Sequence, residues 1–151
     1  MLLPFAAENR SLYGGLATML SKVKATPTNG STCSILNVTF ACVDSEPVAA
    51  FWSAVTGWPR SFEDMPGNPF WVVAPEDDGA PRLVFVTVPE PKSGRNRVHL
   101  DLLPRGGTQD QEVVRIESLG GRIVDDRRRS VPGGWVVMAD PEGNEFCVEG
   151  G

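Results

Sequence analysis

The stretch Asp140-Pro141-Glu142-Gly143-Asn144-Glu145-Phe146-Cys147-Val148 decides the fold. Its first half is built to turn. Pro141 presets φ, Gly143 tolerates a positive φ, and Asp140 and Asn144 are suited to hydrogen-bond local backbone. Its second half alternates, with Phe146 and Val148 on one face and Glu145 and Cys147 on the other, which is the pattern of a half-buried strand. A second segment, Arg97-Val98-His99-Leu100-Asp101-Leu102-Leu103, alternates in the same way. Val98, Leu100 and Leu102 share one face. His99, the only histidine in the chain, shares the other with Asp101. Both strands therefore carry polar or reactive side chains towards something other than the core.

The surrounding sequence repeats itself. Ile35 to Val43 reads as a strand with Val38, Phe40 and Cys42 on its apolar face. Asp44 or Ser45 caps a helix, Pro47 sits in its first turn where a missing N–H costs nothing, and Gly57 ends it. Val48, Phe51, Trp52 and Val55 form its apolar stripe. Strands are expected at about 58–65, 70–74 and 82–88. After a connector at 89–96, the strand at 97–103 is followed by a helix opened by the capping box Thr108/Gln111 and carrying Val113, Val114, Ile116 and Leu119. Short strands follow at 122–124 and 134–138. The offset from Asn37 to His99 is 62 residues, and from Phe85 to Cys147 it is the same. Trp71-Val72-Val73 and Trp135-Val136-Val137 lie 64 apart. The pattern predicts an α+β fold of two βαβββ units, about 35–90 and 96–149, forming one curved mixed sheet with helices outside and a cleft inside.

Composition narrows the partners. The 151 residues suffice for one compact domain, and a hydrophobic content of 41% is that of a globular protein. A net charge of −5 argues against nucleic acid or an anionic membrane as a general partner. Three cysteines, an odd number without a CxxC, suggest neither a disulfide framework nor a cysteine-rich zinc site, and a cytoplasmic setting is expected. No apolar run approaches the ~18 residues of a membrane span. Residues 1–33 read as an extension outside the main fold. Gly14-Gly15 weakens a possible helix over 12–23, and 25–32 has linker composition. No basic region precedes Leu2 to Ala7, so the start does not read as a secretory signal, and Met19 is a plausible alternative initiator.

The residues just quoted, from Val38 through Phe51-Trp52 and Gly57-Trp58 to His99-Leu100-Asp101-Leu102 and the Asp140 turn, resemble the vicinal oxygen chelate superfamily. Within it they resemble the glyoxalase-like and bleomycin-resistance-like branch, over about 35–148. The resemblance implies the paired-unit fold and a homodimer. It also implies a metal site at four positions, matched here by Asn37, Phe85, His99 and Cys147. Metalloenzymes of the family usually place His or Gln, then Glu, there. Phe85 cannot ligate and Asn37 offers only an amide oxygen, so no stoichiometric transition metal is expected, although Glu145 and Asp101 share the cleft face for a rearranged site.

Each candidate residue has a plainer reading beside its functional one. His99 is either a satisfied cross-strand histidine, an acid–base or ligand-binding group, or a metal ligand. Asp101 beside it suits a carboxylate-oriented base. Glu145 is a paired surface carboxylate or a catalytic one. Cys147 is a small hydrophobe or a reactive thiol. Trp71 and Trp135 are either aromatic walls of a ligand site or core and interface residues. The expected function is binding of a small, partly aromatic molecule in an apolar cleft, lined by Asn37, Phe85, Trp71, Trp135 and Cys147. The alternative is an enzyme acting on a small oxygenated substrate, of lyase, isomerase or dioxygenase type, with His99, Asp101 and Glu145 in catalysis or with a divalent metal.

Overall fold

The computed structural model describes residues 35–77 and 80–150, and the expected extension over 1–33 lies outside them. The first half runs β1 (Asn37–Cys42), α1 (Ser45–Thr56), β2 (Arg60–Glu63), β3 (Phe70–Val73) and β4 (Arg82–Thr87). The second runs β5 (Asp101–Leu102), α2 (Gln109–Ser118), β6 (Arg122–Asp126), β7 (Val136–Ala139) and β8 (Glu145–Val148). This is the expected duplicated βαβββ order. The strands pair as β1-β4-β3-β2 and β5-β8-β7-β6, two four-stranded mixed sheets rather than one continuous ladder. In each, the first strand lies parallel to the last and the other neighbours are antiparallel. β5 is shorter than its alternation predicts. Just before it Leu100 O still accepts from Cys147 N of β8 at 2.8 Å, and further back the Asn96 N–H donates to the side chain of Glu145 at 3.0 Å rather than to backbone. No helix among the described residues is long and apolar enough to cross a membrane.

The two halves share one core, and α1 is its centre. Asp44 is the N-cap, in extended conformation, and Pro47 falls in the first turn. At the other end Gly57 adopts φ 72° and its N–H donates to Ser53 O at 2.9 Å, a left-handed closure that a side chain would strain. Val48, Ala49, Phe51, Trp52 and Val55 are buried. The Trp52 ring packs 5.3 Å from Phe40 of β1 and 5.1 Å from Phe146 of β8, centroid to centroid. The helix-facing sides of both sheets therefore meet on one indole. The second helix opens with the expected Thr108/Gln111 capping box and buries Val113 and Ile116. Its Arg115 donates to the carbonyls of Ala54 and Val55, both at 2.9 Å, placing a cation on the last turn of α1 where the helix dipole favours it.

The Asp140 turn ties the halves together. Gly143 holds φ 89°, and its N–H closes the turn on Asp140 O at 2.9 Å. The Asp140 carboxylate accepts from the N–H groups of Glu142 and Asn144 and from the Trp52 indole of α1. Glu142 reaches further: its carboxylate accepts from Val43 N at 2.8 Å and Asp44 N at 2.6 Å, where β1 gives way to α1. One turn of the second unit thus anchors the entry to the helix of the first.

Candidate functional site

The second sheet gathers three of the sequence candidates. Its parallel register sets Asp101 beside Cys147 and Leu102 beside Val148. Phe146 and Val148 point into the core, so alternation sends Glu145 and Cys147 to the opposite face, together with Asp101 and His99. His99 Nδ1 lies 3.0 Å from Asp101 Oδ1 and 3.8 Å from Cys147 Sγ. Burial, reinforced by the negative charges of Asp101 and Glu149, pushes the Cys147 thiol up to about 12. At neutral pH it is a protonated thiol and a poor nucleophile. A carboxylate-oriented imidazole of this kind is equipped to move a proton.

Glu145 stands slightly apart. Its carboxylate is 3.0 Å from Lys92 Nζ and accepts from Asn96 N. Burial works to raise its pKa, but the Asn96 N–H and the Lys92 ammonium outweigh it and hold the group below its ordinary 4.5. A folded pKa below the unfolded one contributes stability that is complete above about 4.5 and is lost as pH falls through the folded value. Glu145→Gln is therefore expected to cost about 1–2 kcal/mol at neutral pH, with the gap to the unsubstituted chain closing in acid. Urea denaturation at both pH values reads this; a pH-independent gap would refute the pairing.

The first sheet rearranges the remaining candidates. Asn37 is exposed and its Oδ1 accepts from Arg82 Nε at 2.9 Å. Phe85 pairs in register with Phe40, stacks on it at 5.0 Å and is fully buried in the core. Asn37 alternates to the other face. The equal sequence spacing of Asn37–Phe85 and His99–Cys147 is therefore not a structural equivalence. Thr39 pairs with Val84 as Asp101 pairs with Cys147, and a slip of one residue has turned Phe85 inward. The two tryptophans differ in the same way. Trp71 pairs with Phe85, packs 5.2 Å from Phe62 and lies under the Arg60 guanidinium. Trp135, half-buried, precedes β7 by one residue and is out of phase with the buried Val136 and Met138.

Two adjoining cavities are lined by residues of or next to β1 and β5, which are edge strands among the described residues. The larger, about 910 Å³, has an apolar floor that includes Val38, Trp52, Leu83, Leu100 and Leu102. Trp58 closes one side, and Asp101, Arg105 and Gln111 supply polar groups. The second, about 530 Å³, shares Val38, Trp52 and Leu100 and adds Thr39, Lys92, His99 and Glu145. Together they form a crevice floored by the core residues Val38, Trp52 and Leu100 and lined as well by Thr39, His99, Asp101 and Glu145 from the other sheet face, whereas the alternation had placed the cleft on that other face alone. Asp101, His99 and Glu145 reach it; Asn37, Phe85, Trp71, Trp135 and Cys147 do not line it. Trp58, Arg105, Lys92 and Thr39 are lining residues that the pattern did not single out. Trp58 had one signal, its position directly after the helix-ending Gly57.

The four-position metal site of the family does not fit these residues. Phe85 and Asn37 face opposite sides of their sheet, and the Asn37 amide is held by Arg82. Among the described residues, the group of metal-ligating side chains that converges is His99, Asp101 and Cys147, whose donor atoms lie within 4.8 Å of one another.

The fold is that of the vicinal oxygen chelate superfamily. More narrowly, the chain belongs to the family described as the glyoxalase-like domain, whose model matches residues 37–149. Solved structures with the same fold include the fosfomycin resistance protein FosX from Mesorhizobium loti, at 16% identity and a TM-score of 0.60, covering 83% of this chain and 94% of that one. TnmS3, an antibiotic binding protein from Streptomyces sp. CB03234, matches at 22% identity and 0.59, covering 80% and 97%. A glyoxalase-related enzyme from Fulvimarina pelagi matches at 18% and 0.56, covering 78% and 88%. At these identities the likeness is one of fold. No curated protein matches the chain.

Proposed function

We propose that the chain binds a small, partly aromatic molecule in the crevice between β1 and β5, without the four-position metal site. The observation that carries this reading is the larger cavity. At about 910 Å³ it falls within the roughly 300–1,000 Å³ of small-molecule sites, with an apolar floor, one indole wall and a few convergent polar groups. Arg105 at one end and Lys92 at the other suit a ligand with acidic or hydrogen-bond-accepting substituents. The fold likeness to an antibiotic binding protein supports a binding role. Titration with a panel of flat aromatic compounds, including anilinonaphthalene sulfonate and polycyclic antibiotics, tests it through tryptophan fluorescence. Saturable binding of one molecule per chain is expected, and uniformly non-saturable signals would overturn the reading.

We further infer that two copies pair. β1 and β5 are edge strands in their sheets, and edge strands template further pairing. Beside them Ile35, Leu36 and Val98 are 74%, 67% and 80% exposed. Light scattering at micromolar concentration should return twice the chain mass; a monomer mass would exclude the pairing.

A further inference from the structure

We propose that His99, Asp101 and Cys147 form a three-ligand site for a thiophilic divalent cation of the zinc class, open at its fourth position. This goes beyond the binding reading and does not rest on it. The site also differs from the family's four-position site, because all three ligands come from the second unit and one of them, Asp101, lies off that motif. Of the four motif positions, His99 is a good ligand and Cys147 a possible thiolate, a count from which no stoichiometric metal was expected. Asp101 brings the total to the three protein ligands of an open zinc site.

The distances fit such a cation. Bond lengths of about 2.0–2.1 Å to nitrogen and oxygen and about 2.3 Å to sulfur place tetrahedral ligand pairs about 3.4 Å apart for N and O and about 3.6 Å apart for N and S. His99 Nδ1 is 3.0 Å from Asp101 Oδ1 and 3.8 Å from Cys147 Sγ, and all three donor atoms fall within 4.8 Å. The two pairs made by His99 Nδ1 lie within a few tenths of an ångström of these values, and the widest pair, at up to 4.8 Å, closes by about 1 Å through rotation of the exposed Asp101 side chain. The mixed N, O and S set selects zinc or cobalt over magnesium and calcium, which require oxygen shells.

The setting is equally suited. Cys147 is held by β8 between core residues Phe146 and Val148, so the sulfur is fixed by a rigid element. The side chains of His99 and Asp101 are 38% and 59% exposed, which admits the ion from solvent and leaves room for water as a fourth ligand. Glu149 lies near enough to interact electrostatically with both, adding negative charge, while Arg95 opposes it from the side of Cys147.

The test uses the full chain, stripped with chelator and dialysed against cobalt(II). One cobalt per chain is expected, with a thiolate-to-cobalt charge-transfer band in the near ultraviolet and the intense visible bands of four-coordination, all displaced by zinc. Cys147→Ser should abolish the charge-transfer band, and His99→Ala and Asp101→Asn should each weaken cobalt binding by at least about tenfold. Should Cys147→Ser fail to fold, His99→Ala, which replaces a partly exposed side chain, decides the question alone. No bound cobalt, a six-coordinate spectrum without the charge-transfer band, or full retention of cobalt by His99→Ala would each overturn the proposal.

Discussion

Asp140→Ala is expected to destabilise the fold by about 3–5 kcal/mol, the largest effect of any single carboxylate in the described structure. Asp140 is 1% exposed. Its carboxylate accepts from Glu142 N at 3.0 Å, Asn144 N at 2.9 Å, Asn144 Nδ2 at 2.8 Å and Trp52 Nε1 at 3.1 Å. Alanine leaves all four donors without this acceptor. The Trp52 indole is 1% exposed, so its N–H is not compensated by bulk water. An unsatisfied buried donor costs about 1–3 kcal/mol, and the turn loses its internal brace as well. The damage extends beyond the turn, since Glu142 holds the start of α1 only while the turn keeps its shape. Asp140→Asn keeps one acceptor oxygen but sets an amide N–H₂ against donors, so it should fall between the two. Urea denaturation measures the series. A loss below about 1 kcal/mol for the alanine variant would show that the carboxylate does not organise the turn.

The same turn shows which features were legible in the sequence. Its Pro, Gly, Asp and Asn have meaning within a few residues, as do the Gly57 closure and the Thr108/Gln111 box, and all three form as read. The duplication was legible because each unit repeats a local pattern. What failed was counting across units. Phe85 and Cys147 sit at equal offsets from Asn37 and His99, yet one faces the core and the other turns away from it. Strand alternation has a period of two, so a one-residue difference in register reverses a face without altering composition. Trp71 and Trp135 were separated by the same effect. The crevice was illegible for another reason. It depends on β1 and β5 ending as separate edges, and short-range periodicity carries no information about that. Parity did place His99, Asp101 and Cys147 on one face, but their convergence depends on side-chain direction and on the shortness of β5.

Trp58→Ala is expected to weaken binding of a flat aromatic ligand by about 10- to 100-fold while leaving the fold intact. Trp58 is half-buried, packs against the core and lines the larger cavity. Its backbone is fixed on both sides: its N–H donates to Thr56 Oγ1 at 3.2 Å, and its carbonyl accepts from the Ser53 hydroxyl at 2.6 Å. The indole is thereby pre-positioned, and little ordering entropy is lost when a ligand stacks on it. An aromatic pair contributes about 0.5–1.5 kcal/mol beyond area, and the apolar surface an indole covers adds a comparable amount, which together give the stated range. Trp58→Phe should recover most of the loss, because a ring remains in place. Trp71→Ala is the control: its ring packs against Phe62 beneath Arg60 and lines neither cavity, so ligand affinity should be unchanged. Calorimetric titration of the three variants separates the possibilities. Equal affinity for Trp58→Ala and the unsubstituted chain would remove the crevice as the binding site, and a loss confined to Trp71→Ala would move the site to the outer edge of the first sheet.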